Sequence, residues 1–495
     1  MKEPRDDNNY MHVLKYTWLF GGIQGLVILI GLVRNKAMAL LIGVSGMGFN
    51  ALMVSVQNFA SQCTNLGLSF GAVPRLSELY EQGRQDKIDY SIRVIRLWSL
   101  IAALLGLLFS VAISPLVNNF SFTWGDHTLH YAMLGVAVAS MAIASGETAI
   151  LKATRRLGSL ARIQVYSALA GVVVSIPLFF LFGHGGVVPA IVLTAFSAML
   201  VTLSFSLRFH PLQLQVERRM LYDGIGMVKL GLAFILAAAI GSGAEMAIRS
   251  FLNVMGDMEH VGLYNAAYMI TITYAGMVFT AMETDYYPRL SAVSKDIGAT
   301  NETVNKQIEV SLLLLSPMLV ALLMMLPLLI PLLFSREFLP VVAMAQVAVL
   351  AMYFKVLTLP VAYITLARGR SLSFFFLESA YFVVLVLSVA AGYLWGGIYG
   401  TGVGIVAAHV FDYLMINGYA YLYYGYRSTR PIALYALVQM LIGTAAFVVS
   451  LVADGWLYWT AEAALTIAST AYSLFVLRQK AHLWEALLRK LRVRQ

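Results

Sequence analysis

Charge is what this sequence has least of. Asp, Glu, Lys and Arg make up 12% of its 495 residues, where a soluble domain carries about 25%. That scarcity excludes a soluble globular chain. Cysteine is almost missing: Cys63 stands alone, so no intrachain disulfide can form and the redox compartment is not legible. No Walker loop occurs, so ATP is not the expected drive. The eight histidines are scattered, with no histidine–carboxylate group at metal-ligand spacing. No motif points to an enzyme. The net charge of +9 has no basic soluble segment to carry it onto nucleic acid.

What is present is apolar sequence: 60% of residues are hydrophobic and the mean hydropathy is +0.77. The fold class is an all-α polytopic membrane protein, since open sheet in lipid would leave backbone groups without partners. At about 20 apolar residues per crossing, the sequence predicts fourteen spans. They lie near 13–33, 37–66, 91–114, 130–151, 161–182, 187–207, 228–248, 261–284, 308–333, 341–366, 371–392, 398–424, 432–452 and 456–477. The first ends at Arg34-Asn35-Lys36 without a small-x-small cleavage site, and reads as a retained span. With this count, 29 of the 34 basic residues fall on one side and four on the other, with Lys355 inside a span. The positive-inside rule then predicts both termini in the cytoplasm. The final segment carries Leu483, Trp484, Leu487, Leu488 and Leu491 on one helical face. That pattern predicts a basic amphipathic tail, 478–495, on the anionic membrane surface.

One phrase is written twice. Pro74-Arg75-Leu76-Ser77 and Pro288-Arg289-Leu290-Ser291 are 214 residues apart, as are Gly48 and Gly262, Arg156 and Arg370, and Gly186 and Gly400. Six spans separate the copies, so the repeat is parallel. It predicts two pseudo-symmetric six-helix lobes, 1–210 and 211–430, followed by two extra helices over 431–477. Two lobes related in this way are a transporter architecture, with sites near mid-membrane between them. The proline is expected to end or kink the helix, the arginine to anchor it, and Ser77 or Ser291 to cap the next helix. Pro74, Arg75, Pro288 and Arg289 are thus gate or anchor candidates. Pro317, Pro327 and Pro331 predict kinks in the ninth span.

The stretches "RNKAMALLIGVSGMGFNAL" and "LGLSFGAVPRLSELYEQG" resemble the start of bacterial polysaccharide-transporter flippases. That family belongs to the multidrug/oligosaccharidyl-lipid/polysaccharide exporter (MOP) superfamily. The resemblance implies a flippase that moves an undecaprenyl-diphosphate-linked oligosaccharide, such as an O-antigen, capsule or exopolysaccharide unit, across the bacterial inner membrane. It implies membrane lipids and polysaccharide-assembly proteins as partners and no resident cofactor, with H+ or Na+ as coupling ion. Two other readings stay open: a multidrug or small-molecule exporter of the same superfamily, and a membrane glycan polymerase or ligase. The short outer loops argue against the last.

Ionisable residues within spans are functional candidates by default. Arg34 and Lys36 at the first outer turn, Arg249 at the outer end of the seventh span and Lys355 in the tenth are candidates for a substrate diphosphate. Asp412 and His409 share a face at i, i+3, so Lys355 and Asp412 form either a structural pair, a proton- or sodium-linked switch, or a phosphate contact. Glu245 pairs with Arg249 by spacing. Glu147 and Glu378 are ion-coupling or structural groups, with Lys152 and Arg370 as expected partners. Asn50, Gln57, Ser61, Asn65 and Ser69 stripe one face of the second span. Tyr264, Tyr268 and Thr271 stripe its repeat mate. The resemblance makes both stripes cavity lining; interhelical glue is the alternative.

Overall fold

The computed structural model describes residues 6–122, 125–213 and 217–480. Among them every regular element is helical. The first half comprises α1 (Asp6–Thr64), α2 (Leu68–Glu81), α3 (Gln85–Ser121), α4 (Thr128–Ala153), α5 (Leu157–Phe182) and α6 (Val187–Phe209). Then come α7 (Arg218–Met255), α8 (Met258–Tyr268), a π-helical turn (Met269–Tyr274) and α9 (Ala275–Val293). The chain ends with α10 (Ile297–Leu333), α11 (Val342–Ala367), α12 (Ser371–Tyr424), α13 (Arg430–Val452) and α14 (Gly455–Lys480). The tail from 481 onward lies outside the described residues.

All fourteen predicted spans fall in helix to within about two residues at their ends, but two helices hold two spans each. In α12 the break is at Gly396 and Gly397. A Cβ on Gly392 would lie 2.1 Å from Gly400 O, and one on Gly404 2.3 Å from Ser388 O. Residues eight apart on a straight helix are about 12 Å apart, so the two arms fold back and touch. In α1 the break is at Gly43 (φ 66°, ψ −168°), a conformation open to glycine. This corrects the predicted turn at Arg34–Lys36, which lies inside α1, about two turns before the break.

The repeat is written in the backbone as well. Left-handed turn residues recur at the same offset of 214: Arg155 (φ 55°) with Gly369 (φ 69°), and Gly183 (φ 55°) with Gly397 (φ 57°). The break at Gly43 finds its mate in the turn between α7 and α8, at 256–257.

By contact the chain divides into Met1–Gly262 with 333–335, and 263–332 with 336–495. Helix α7 goes with the first unit because it packs on α1, α2 and α3, although the repeat counts it as the first span of the second lobe. The first unit has a core of Ala72 and Leu76 (α2), Ile88, Ile92 and Ile95 (α3), Ile150 (α4) and Met220 and Met227 (α7). Helix α3 buries Ser99, Ser110 and Ser114 and exposes Leu100, Leu104 and Leu108. That is the arrangement expected of a span that packs by small residues and faces lipid with its large ones.

In the second unit α13 and α14 are joined by buried polar groups. Gln439 Nε2 donates to Ser473 Oγ (2.8 Å), and Ser469 Oγ donates to Gln439 Oε1 (2.6 Å). Tyr458 Oη donates to Met324 O at 2.9 Å, fastening α14 to α10. Replacing Gln439 with leucine orphans both buried serines. Thermal unfolding in detergent should report a loss of about 1–3 kcal/mol; an unchanged melting curve would mean that the network does not hold the pair.

The proline–arginine segments depart from expectation. Pro74 and Pro288 sit inside α2 and α9, which continue past them. The break comes earlier, at Leu66 (φ 55°) and Gly67 (φ 60°), where Asn65 Oδ1 accepts from Gly67 N. Ser77 Oγ donates to Ala153 O of α4 and Ser291 Oγ to Tyr287 O of its own helix, so neither caps a later helix. Arg75 donates to Asp223 O of α7 at 3.3 Å and Arg289 to Gln307 at 3.4 Å. Helix α10 runs on through Pro317, Pro327 and Pro331 from Ile297 to Leu333.

Candidate functional site

In the second unit the α12 hairpin brings its two arms beside α11. Lys355 projects from α11, Glu378 and Tyr381 from the first arm, and His409 and Asp412 from the second. All five line one cavity of about 60 Å³, room for a few water molecules. The expected Lys355–Asp412 pair is replaced by a wider group: two carboxyls and one amine ring the cavity, and no ion pair within 4.0 Å forms among these described residues. Glu378 faces this cavity and not its expected partner Arg370. His409 is buried, its Nδ1 2.9 Å from Ile405 O and its Nε2 3.4 Å from Tyr381 Oη. With Nδ1–H donating to the carbonyl, Nε2 accepts from the tyrosine. The cavity thus gathers two carboxyls, one amine, one imidazole and one phenol. No three His, Cys, Asp or Glu side chains among the described residues are grouped to hold a metal.

The repeat mates of these positions, 214 residues earlier, are Met141 for Lys355, Gln164 for Glu378, Ala195 for His409 and Ala198 for Asp412. The charged cluster therefore belongs to one copy only.

In the first unit Arg34 Nε donates to Ser175 Oγ of α5 at 3.1 Å. His184, just past α5, meets Ile42 O at 3.0 Å. Arg34 is thus a partly buried side chain within α1, and Lys36 lies half-buried two residues on. Arg249 is buried in α7 and donates to Glu245 Oε2 and Glu245 O, both at 3.1 Å, as the spacing predicts. Glu147 is not paired with Lys152. Its carboxylate takes two bonds from Arg96 of α3, at 2.7 and 3.2 Å, and one from Ser206 of α6 at 2.5 Å. Arg96 also donates to Pro211 O and His210 O.

The polar stripes are only partly open. Gln57 is buried and donates to Met141 Sδ at 3.0 Å, and Asn65 is used in the break after α1. Asn50 and Ser61 are half-buried. Thr271 is fully buried with its hydroxyl on Ala267 O, and Tyr264 is buried with its ring 5.7 Å from that of Tyr268. Gln57 thus packs between helices, while the contacts of Thr271 and Tyr264 run along their own helical segment. Sequence reasoning missed Arg96, which counted only as one of the basic residues, and Tyr381, which carries no charge. It also missed Glu462 of α14, a fully buried carboxyl with no hydrogen-bond partner on either oxygen among the described residues.

Residues 37–343 match a family model described as polysaccharide biosynthesis protein. The chain belongs to this family. No curated protein matches its sequence. Its fold is similar to that of a lipid II flippase, MurJ, in an inward closed conformation, with a TM-score of 0.69 at 15% identity, covering 93% of this chain and 99% of that one. It is also similar to an inward-facing MATE multidrug resistance transporter of the MOP superfamily, with a TM-score of 0.66 at 14% identity, covering 83% and 94%. A MOP-superfamily transporter from Pyrococcus furiosus is similar too, with 0.55 at 14% identity, covering 88% and 94%. This polysaccharide biosynthesis protein thus has the two-lobed fold of the MOP superfamily.

Proposed function

We propose that the chain is a flippase that moves an undecaprenyl-diphosphate-linked oligosaccharide across the bacterial inner membrane by alternating access. The observation that carries this reading is the family match over residues 37–343, joined to a fold shared with a lipid II flippase. Both termini are cytoplasmic in this reading, on the strength of the 29-to-4 distribution of basic residues. Arg34, Lys36 and Arg249 offer cationic groups for a diphosphate, which guanidinium binds through paired hydrogen bonds. Lys355, Glu378, His409 and Asp412 form the coupling site, where the carboxyls take up a cation, H+ or Na+. Short outer loops and the internal repeat support a transporter over a glycan polymerase.

Depletion of the protein should leave lipid-linked oligosaccharide in the cytoplasmic leaflet. Accumulation in the outer leaflet would identify a polymerase, and drug sensitivity with intact surface glycan an exporter. In vesicles with an imposed H+ or Na+ gradient, Asp412→Asn and Glu378→Gln should each slow gradient-driven flipping by roughly an order of magnitude, the scale of one coupling charge. Unchanged gradient dependence would discard the coupling role. Arg34→Gln with Arg249→Gln should abolish flipping with or without a gradient; full activity would discard the diphosphate role.

A further inference from the structure

The first unit carries a cavity that nothing in the transport reading uses. It measures about 390 Å³ and lies where α3 begins, α6 ends and α4 turns into α5. Its walls include the guanidiniums of Arg93, Arg96 and Arg156, the rings of Tyr80 and Phe209, and the carboxylate of Asp89. We propose that this cavity binds the phosphate group of a lipid headgroup at the basic face of the membrane.

Its floor is rigid. Arg96 is fixed by Glu147 beneath it and by the carbonyls of His210 and Pro211, so it contributes position and field. Arg156 is stacked on the Phe209 ring, 4.3 Å from its centroid, a contact that holds the guanidinium plane and leaves its N–H edge available in the plane. Arg93 stands on the same wall, a turn before Arg96. The opposing charges are Asp89, which accepts from Gln85 Nε2 at 3.0 Å, and Glu147. His210 adds no charge at neutral pH: burial, then the neighbouring Arg96 and Arg156, hold its imidazole below the ordinary histidine value. Three cations against two anions leave a positive site.

The rim supports a lipid source for the anion. Tyr80 and Phe209 are large aromatic side chains that line this polar cavity and are left 37% and 38% exposed, at the ends of apolar helices. Basic pockets between such helix ends take anionic headgroups. The second copy of the repeat does not conserve the chemistry: Arg93 and Arg96 correspond to Gln307 and Val310. The site is a feature of the first unit, and it stands whatever molecule is transported.

Two lipids could supply the phosphate, a phosphodiester phospholipid or a polyprenyl diphosphate. The full-length chain in neutral detergent is titrated with short-chain phosphatidylglycerol, farnesyl diphosphate and inorganic pyrophosphate, with binding followed by thermophoresis. At least one lipid probe should bind, and Arg93→Gln with Arg156→Gln should weaken it by roughly 20-fold, at about fivefold per charge. Arg156→Gln alone, at an exposed position, should cost about fivefold and guards against misfolding of the double variant. Arg84→Gln with Arg218→Gln, outside the cavity lining, should bind as the parent does. The better-bound lipid identifies the source. Binding of pyrophosphate alone, or equal binding by parent and cavity variants, overturns the proposal.

Discussion

Arg96→Ala is expected to destabilise the protein by about 3–5 kcal/mol, the cost of removing one partner from a buried ion pair. The Arg96 and Glu147 side chains are 10% and 4% exposed, and the arginine spends donors on three partners: Glu147, His210 O and Pro211 O. Its loss leaves Glu147 with only Ser206 and frees two carbonyls at the end of α6. In detergent the melting temperature should fall by about 3–5 °C. The pair itself is not the source of stability, because desolvation cancels much of its attraction. Arg96→Met combined with Glu147→Leu should therefore recover most of the loss. A drop below about 2 °C for the single variant, or a double variant no better than the single, would contradict this account.

The second large effect is expected at Gly48 and Gly262. A Cβ on Gly48 would lie 2.0 Å from Met258 O, and one on Gly262 would lie 2.1 Å from Val44 O. Both obstacles are backbone, which cannot swing aside as a side chain can. Even alanine must push α1 and α8 apart, and overpacking of this kind costs about 1–3 kcal/mol or more. If the proposed flippase function holds, leucine at either position should abolish transport of lipid-linked oligosaccharide while the protein still inserts. Gly48→Ala and Gly262→Ala should be impaired to a similar degree, since each glycine meets the equivalent backbone. Gly226→Ala, with nothing within 4 Å of the added carbon, is the control. Parental transport and an unchanged melting temperature for Gly48→Leu would show that the close approach is dispensable.

The spans were legible because lipid leaves hydropathy as the dominant signal, and the repeat because turns recur at fixed offset. The first turn was misread for a physical reason. Arg34-Asn35-Lys36 looks like an interface, but Arg34 is accommodated by Ser175, 141 residues away, and Gly43 supplies the reversal. The partner of Glu147 was sought nearby in sequence and found on α3, 51 residues back. Spacing placed His409 beside Asp412. Only the fold-back of α12 adds Glu378 and Tyr381 to them, because the hairpin at Gly396–Gly397 sets which faces of its arms meet. Helical period alone also cannot tell a cavity-facing polar residue from one packed on a neighbour, as Gln57 on Met141 demonstrates.

The contact at Gly48 is reciprocal. Gly48 touches position 258 and Gly262 touches position 44, and 44 and 258 are themselves repeat mates. Such reciprocity is the signature of an isologous contact, in which one patch meets its own copy. A substitution shared by both copies therefore strikes this contact twice. Positions 44 and 258 differ, valine against methionine, while 48 and 262 are both glycine: at these two positions the backbone itself is the partner.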